Sequence, residues 1–230
     1  MPYVVSEGNV SVLYLNDPGD DSSENCFNPG WVDSFGAALD EIEASAGPRA
    51  LITTAQGRIY STGADLSWAA AHPDRVGEGL DRIQLLFARM LELPIPAVAA
   101  IQGHAFGAGA IFALAHDHRI MREDRGFFCL PGINVGVPYS PGIIDLVAAR
   151  VPTVTAHELL TQGRRYGGDA ARDRGIVDDV APGDELLARA VAHANSLAHT
   201  RGEVLGKIKR QLYARPLDGL RVSVGQYAVP

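Results

Sequence analysis

Residues 93–115, LPIPAVAAIQGHAFGAGAIFALA, decide the fold class of this chain. Pro94 and Pro96 stop the helix that precedes them, because proline has no backbone N–H to donate and a fixed φ. Residues 97–101 (AVAAI) are a short apolar run between breakers, which reads as a strand buried on both faces. Residues 103–109 form a glycine-rich turn, and residues 110–116 follow as a buried helix. A buried strand that passes through a glycine turn into a helix belongs to an α/β fold with parallel pairing.

The same alternation extends in both directions. Upstream, Val76, Leu80, Ile83, Leu86, Phe87 and Met90 fall on one face of a helix over 74–93. Residues 50–54 (ALITT) are a second buried strand, 59–61 a short extended piece and 10–15 a strand near the N-terminus. Residues 16–30 hold Asp, Asn, Ser, Pro and Gly in quantity and read as loop. Trp31, Phe35, Ala38, Leu39 and Ile42 then mark an amphipathic helix to about residue 46. Downstream, 119–121 and 176–180 read as strands, and helices are expected over 141–150, 155–162, 184–199 and 201–213. The expected organisation is an α/β core over residues 1–140 and a helical region over 141–230. Trp31 and Trp68 are expected to pack in the core or between helices.

Composition narrows the function. The chain has 230 residues, 47% hydrophobic and 20% charged, with a net charge of −7. That is globular composition with an acidic balance, and no strip is basic enough to follow a phosphate backbone, so nucleic acid is not an expected partner. The longest apolar stretch is cut by prolines, glycines and His104, which reads as core and not as a membrane span. The N-terminus has neither a basic region nor an apolar run of a signal peptide, and the final Tyr-Ala-Val-Pro matches no address or lipid motif. Two cysteines cannot make a disulfide framework, and no Cys/His spacing reads as a metal site. The expected location is the cytoplasm.

Two segments can carry chemistry. Residues 61–66 (STGADL) follow a strand, and residues 103–109 (GHAFGAG) connect a strand to a helix. Glycine turns let backbone N–H groups approach a ligand closely, and two N–H groups aimed at one oxygen make an oxyanion hole. The second segment lacks the Gly-x-Gly-x-x-Gly spacing of a dinucleotide site and the Gly-Lys-Ser/Thr of a phosphate loop. No Gly-x-Ser-x-Gly nucleophile turn occurs.

Read together, LITT-x5-YSTGADLSWA, PIPAVAAIQGHAFGAG and ALAHDHRIMREDRG resemble the enoyl-CoA hydratase/isomerase (crotonase) family. With GKIKRQL, their wording is most similar to the plant-type Δ3-Δ2-enoyl-CoA isomerases. The resemblance covers about residues 10–213. It implies a spiral of ββα units with a helical C-terminal region, a homotrimer or a hexamer of paired trimers, and an acyl-CoA thioester as ligand. Coenzyme A is then part of the substrate, and no separate cofactor or metal is implied.

By motif position the oxyanion-hole N–H groups are those of Ala64 and Ala108. Substrate contacts are expected from Ser61, Gly63, Leu66, Gly107, Ile111, Pro131, Gly132 and Ile133. Basic residues of the C-terminal helix, here Lys207 and Lys209, meet the CoA phosphates in such proteins; the alternative is a solvated helix face.

The chain departs from the family at its two glutamate positions. They are occupied by Ile111 and Gly132, and neither can act as a base. Three nearby residues are candidates for that work. Asp65 is either an acid near the thioester or the cap of the next helix. Asn134, if in a strand, shares a face with Gly132 but has no basic group. Tyr139 is either a weak acid reaching the pocket or a packed ring. His104 reads as a hydrogen-bonded structural histidine. His116, Asp117 and His118 are adjacent on the chain but do not face one point. The expected function is isomerase- or hydratase-type chemistry on an acyl-CoA enolate; the alternative is an inactive acyl-CoA-binding or assembly trimer.

Overall fold

The computed structural model describes residues 1–226; the Tyr-Ala-Val-Pro tail lies outside them. Six strands form the main sheet in the spatial order Tyr3–Glu7, Val10–Tyr14, Ala50–Thr54, Ala97–Ile101, His118–Arg122, Asp179–Ala181. The first pair is antiparallel and the others are parallel. Ala50–Thr54 and Ala97–Ile101 are buried along their whole length, as continuous apolar runs in a parallel sheet require.

Each central strand is followed by a short strand in a second, three-stranded parallel sheet, ordered Phe128–Cys129, His104–Phe106, Ile59–Ser61. Each short strand leads toward a helix: Leu66–Ala71, Ala108–Leu114 or Gly132–Val135. The result is a spiral of three ββα turns. It carries the strand-to-helix segments at residues 61–66, 103–109 and 129–136 to one end of the layer between the sheets and helices.

The helix Pro29–Ala44 is locked by an aromatic cluster. Phe27 and Phe35 meet Phe112 edge-on, with centroids 5.6 and 5.3 Å apart, and the Trp31 indole donates to Leu15 O at 3.0 Å. In the C-terminal part, Pro141–Arg150 and Ala214–Leu220 touch backbone to backbone. A Cβ on Gly142 would lie 2.4 Å from Gly219 C, so only glycine permits this approach. Arg150 ties these helices to the core by donating to Leu114 O at 2.9 Å and His116 O at 2.6 Å.

Several expectations shift. The loop read over 16–30 contains the strand Cys26–Phe27, which pairs with Gly63–Ala64, and Asn28 already caps the following helix. The strand read over 176–180 is confined to Asp179–Ala181, because Ile176 and Val177 are buried in a turn that bonds back to Ala171. The stretch around Asn134 is a short helix, Gly132–Val135, and not a strand. Strand Tyr3–Glu7 and helices Gly168–Asp173 and Ala214–Leu220 have weak periodicity and form through tertiary pairing.

Candidate active site

The two glycine segments meet at Gly63 and Ala108. Gly63 has φ +97°, and a Cβ there would sit 2.6 Å from Ala108 N, so the strand carrying Ala64 can lie against the start of the next helix only with glycine at 63. Asp65 N–H donates to Phe27 O at 3.0 Å, so by strand alternation the N–H of Ala64 points away from Cys26–Phe27. Ala108 opens its helix, where the first N–H groups have no partner within the helix. The sharp turn is taken by Gly107 at φ +52°, while Ala108 itself is helical and is not among the residues at positive φ. An alanine at 108 therefore keeps the N–H without strain. Gly109 is equally constrained, since its Cβ would meet Ser61 O at 2.4 Å.

Ser61 does not face a ligand. It is fully buried, donates from Oγ to Asn25 O at 2.8 Å and accepts Gly63 N–H at 3.0 Å. It orients the Gly63 turn. Asn25, which the sequence reading passed over, holds the other side: it is the non-glycine residue at positive φ (+52°), and its amide donates to Ile59 O and Tyr60 O.

Asp65 is a helix cap. One carboxylate oxygen accepts Trp68 N–H at 2.8 Å and the other accepts Asn28 Nδ2 at 3.0 Å. With both oxygens engaged it is not a free base. Asn134 donates to Gly163 O at 3.3 Å, and the helical turn removes the common face with Gly132. Ile111 is buried in the core. Leu66 and Ile133 are largely exposed, Pro131 is half-buried, and Gly107 accompanies Ala108.

Tyr139 takes the space of the absent glutamate. Its hydroxyl accepts Gly132 N–H at 2.8 Å, and a Cβ at 132 would meet its ring at 2.7 Å and Val137 O at 2.6 Å. Burial raises the phenol above its ordinary value, against the opposing pull of the Gly132 N–H. The hydroxyl is therefore neutral near pH 7 and can donate a proton, but it is not a base.

Lys209 corrects an expectation outright. Its Nζ is buried, donates to Leu93 O at 2.9 Å and Ile95 O at 3.2 Å, and pairs with Asp117 at 2.6 Å. It clamps the C-terminal helix to the core and cannot reach a phosphate. Lys207 is exposed and pairs with Glu203 at 2.6 Å. His116, Asp117 and His118 diverge: His116 bonds Thr53 and Phe112 O, Asp117 also accepts Ala97 N–H, and His118 stacks on His193 at 3.8 Å. His104 lies between the Phe106 and Phe127 rings, and its Nδ1 finds no partner among the described residues, contrary to the expected hydrogen bond.

Residues 6–220 match the enoyl-CoA hydratase/isomerase family. The chain belongs to that family. Among its relatives are two Arabidopsis thaliana proteins, the peroxisomal enoyl-CoA delta isomerase 2 and enoyl-CoA delta isomerase 3. The first is 32% identical over 97% of this chain and 96% of its own length; the second is 34% identical over 90% and 89%. The structure of human mitochondrial Δ3-Δ2-enoyl-CoA isomerase shares the crotonase fold, with a TM-score of 0.85 at 22% identity over 98% of this chain and 87% of that one. Like its relatives, this crotonase-fold chain is an enzyme of acyl-CoA thioester chemistry. Among the described residues no helix is long and apolar enough to cross a membrane.

Proposed function

We propose that this chain binds an acyl-CoA thioester with its carbonyl oxygen against the N–H groups of Ala64 and Ala108, and stabilises the enolate formed at C2. The contact of Gly63 with Ala108 N carries the reading, because it brings the two N–H groups to one place. One such donor contributes about 2.7–4 kcal/mol to the barrier. The chemistry is of the enoyl-CoA isomerase or hydratase type, as in the relatives, but with Ile111 and Gly132 at the glutamate positions. Tyr139 is the proton donor on the Gly132 side. CoA enters as part of the substrate and no further cofactor is needed. Residues 1–140 supply the site and residues 141–230 the surface of a homotrimer or hexamer, whose neighbouring copy is where the missing proton acceptor is to be sought. The free thiols of Cys26 and Cys129 fit a reducing compartment such as the cytoplasm.

A second reading, an acyl-CoA-binding or assembly trimer without turnover, is favoured by one observation: Tyr139 fills the place of the glutamate with a group that is not basic. Assays with 3-enoyl-CoA and 2-enoyl-CoA, run beside calorimetry with the same thioesters, separate the two. Turnover supports the first reading, and heat without turnover the second. Neither heat nor turnover sinks both.

A further inference from the structure

Next to Ala64 the structure holds an apolar cavity of about 20 Å³ that the oxyanion hole does not use. Phe27, Ala64, Trp68, Leu80 and Ile83 are among its walls. A space of this size admits about one water-sized group. Ala64 belongs both to this cavity and to the hole, so an acyl chain whose thioester oxygen meets the Ala64 N–H has its far end at the cavity mouth.

Trp68 limits the space, and four features hold it. Its N–H is fixed by Asp65 at 2.8 Å. The His72 ring stacks on the indole with centroids 4.8 Å apart and planes 18° apart. The Arg75 guanidinium lies 5.8 Å from the ring centroid. Gly79, buried in the helix Val76–Glu92, receives the ring edge: a Cβ there would lie 2.9 Å from the indole. Glycine inside a helix is unfavourable relative to alanine, and here it makes room for the indole.

We infer that Trp68, seated on Gly79, is the chain-length gauge of this protein and restricts it to short acyl-CoA thioesters, on the order of four carbons. This rests on the thioester reading above and adds the substrate class. The sequence places Trp68 only as a packing residue; the cavity shows that what it packs against is the space beyond the thioester.

Calorimetry with free CoA, butyryl-CoA and dodecanoyl-CoA tests it on the wild type, Trp68→Ala and Leu80→Ala. The wild type is expected to bind butyryl-CoA at least about 10-fold more tightly than dodecanoyl-CoA. Trp68→Ala is expected to shrink that ratio to about 2-fold or to reverse it. Leu80→Ala opens the partly exposed wall of the same cavity without removing the indole, so it reads the ratio even if Trp68→Ala does not fold. Equal binding of both thioesters by the wild type, or an unchanged ratio in the folded variants, overturns the inference and leaves the thioester reading standing. Binding of free CoA but of neither acyl-CoA more tightly removes the thioester reading itself, and the gauge with it.

Discussion

The Tyr139 hydroxyl accepts the Gly132 N–H at 2.8 Å, and its ring stands where any side chain at 132 would project. The pair explains how the chain does without a glutamate at this position while remaining packed. Loss of the side chain at 132 and a tyrosine seven residues later are one structural change. A single Gly132→Glu exchange does not reverse it, because the new Cβ meets both the ring and Val137 O.

Tyr139→Phe removes the proton-donating group and leaves the packing. We expect kcat on an enoyl-CoA to fall about 100-fold with KM within a factor of a few. Because burial raises the phenol, the wild-type rate owed to this group stays level through neutral pH and declines only as pH climbs past its raised value. A pH–rate profile unchanged by the substitution would show that Tyr139 only packs.

Gly63→Ala places a methyl 2.6 Å from Ala108 N at a φ of +97°. It both strains the turn and occupies the hole. Turnover should drop by about 100-fold or more, with a loss of stability of about 1–3 kcal/mol. Turnover within a factor of three of wild type would place the thioester oxygen elsewhere.

Lys209→Met strips a buried cation from Asp117 and leaves Leu93 O and Ile95 O without their donor. Removing one partner of such a pair costs about 3 kcal/mol or more, which lowers Tm by roughly 10 °C. Affinity for CoA should be unchanged in the folded variant, since Lys209 faces the core. A selective loss of CoA affinity would return the residue to the ligand.

His116 supplies a pH dependence. Phe112 O can only accept, so Nδ1 carries the proton, and Nε2 accepts from Thr53, whose oxygen in turn accepts from Tyr60. Burial lowers the imidazole to about 3. The unfolded chain protonates near 6.5, so between pH 6.5 and 3 it binds the extra proton and the folded state does not. This contribution is fully present above 6.5 and is lost as pH falls, by on the order of 4 kcal/mol at the acid end. Histidine resonances followed by NMR test it: titration of His116 near pH 6.5 would falsify the neutral, network-bound form.

The sequence by itself determined the α/β class, the buried strands Ala50–Thr54 and Ala97–Ile101, the glycine segments and the family. These follow from local chemistry: apolar runs between prolines and glycines, helical spacing, and turns that only glycine makes. The empty glutamate positions at Ile111 and Gly132 were legible in the same way. Tertiary structure alone decided which polar atoms meet. GKIKRQL shows two lysines on a helix, but which of them turns inward depends on Asp117 and two carbonyls that lie more than 90 residues away in the chain. Asp65 reads equally as acid or cap until Asn28 and the Trp68 N–H engage both of its oxygens. Trp68 reads as a packing residue until Gly79 seats it beside Ala64. Periodicity reports which face of an element is apolar, whereas a hydrogen bond, a charge pair or a cavity wall needs two elements whose separation in space no local pattern encodes.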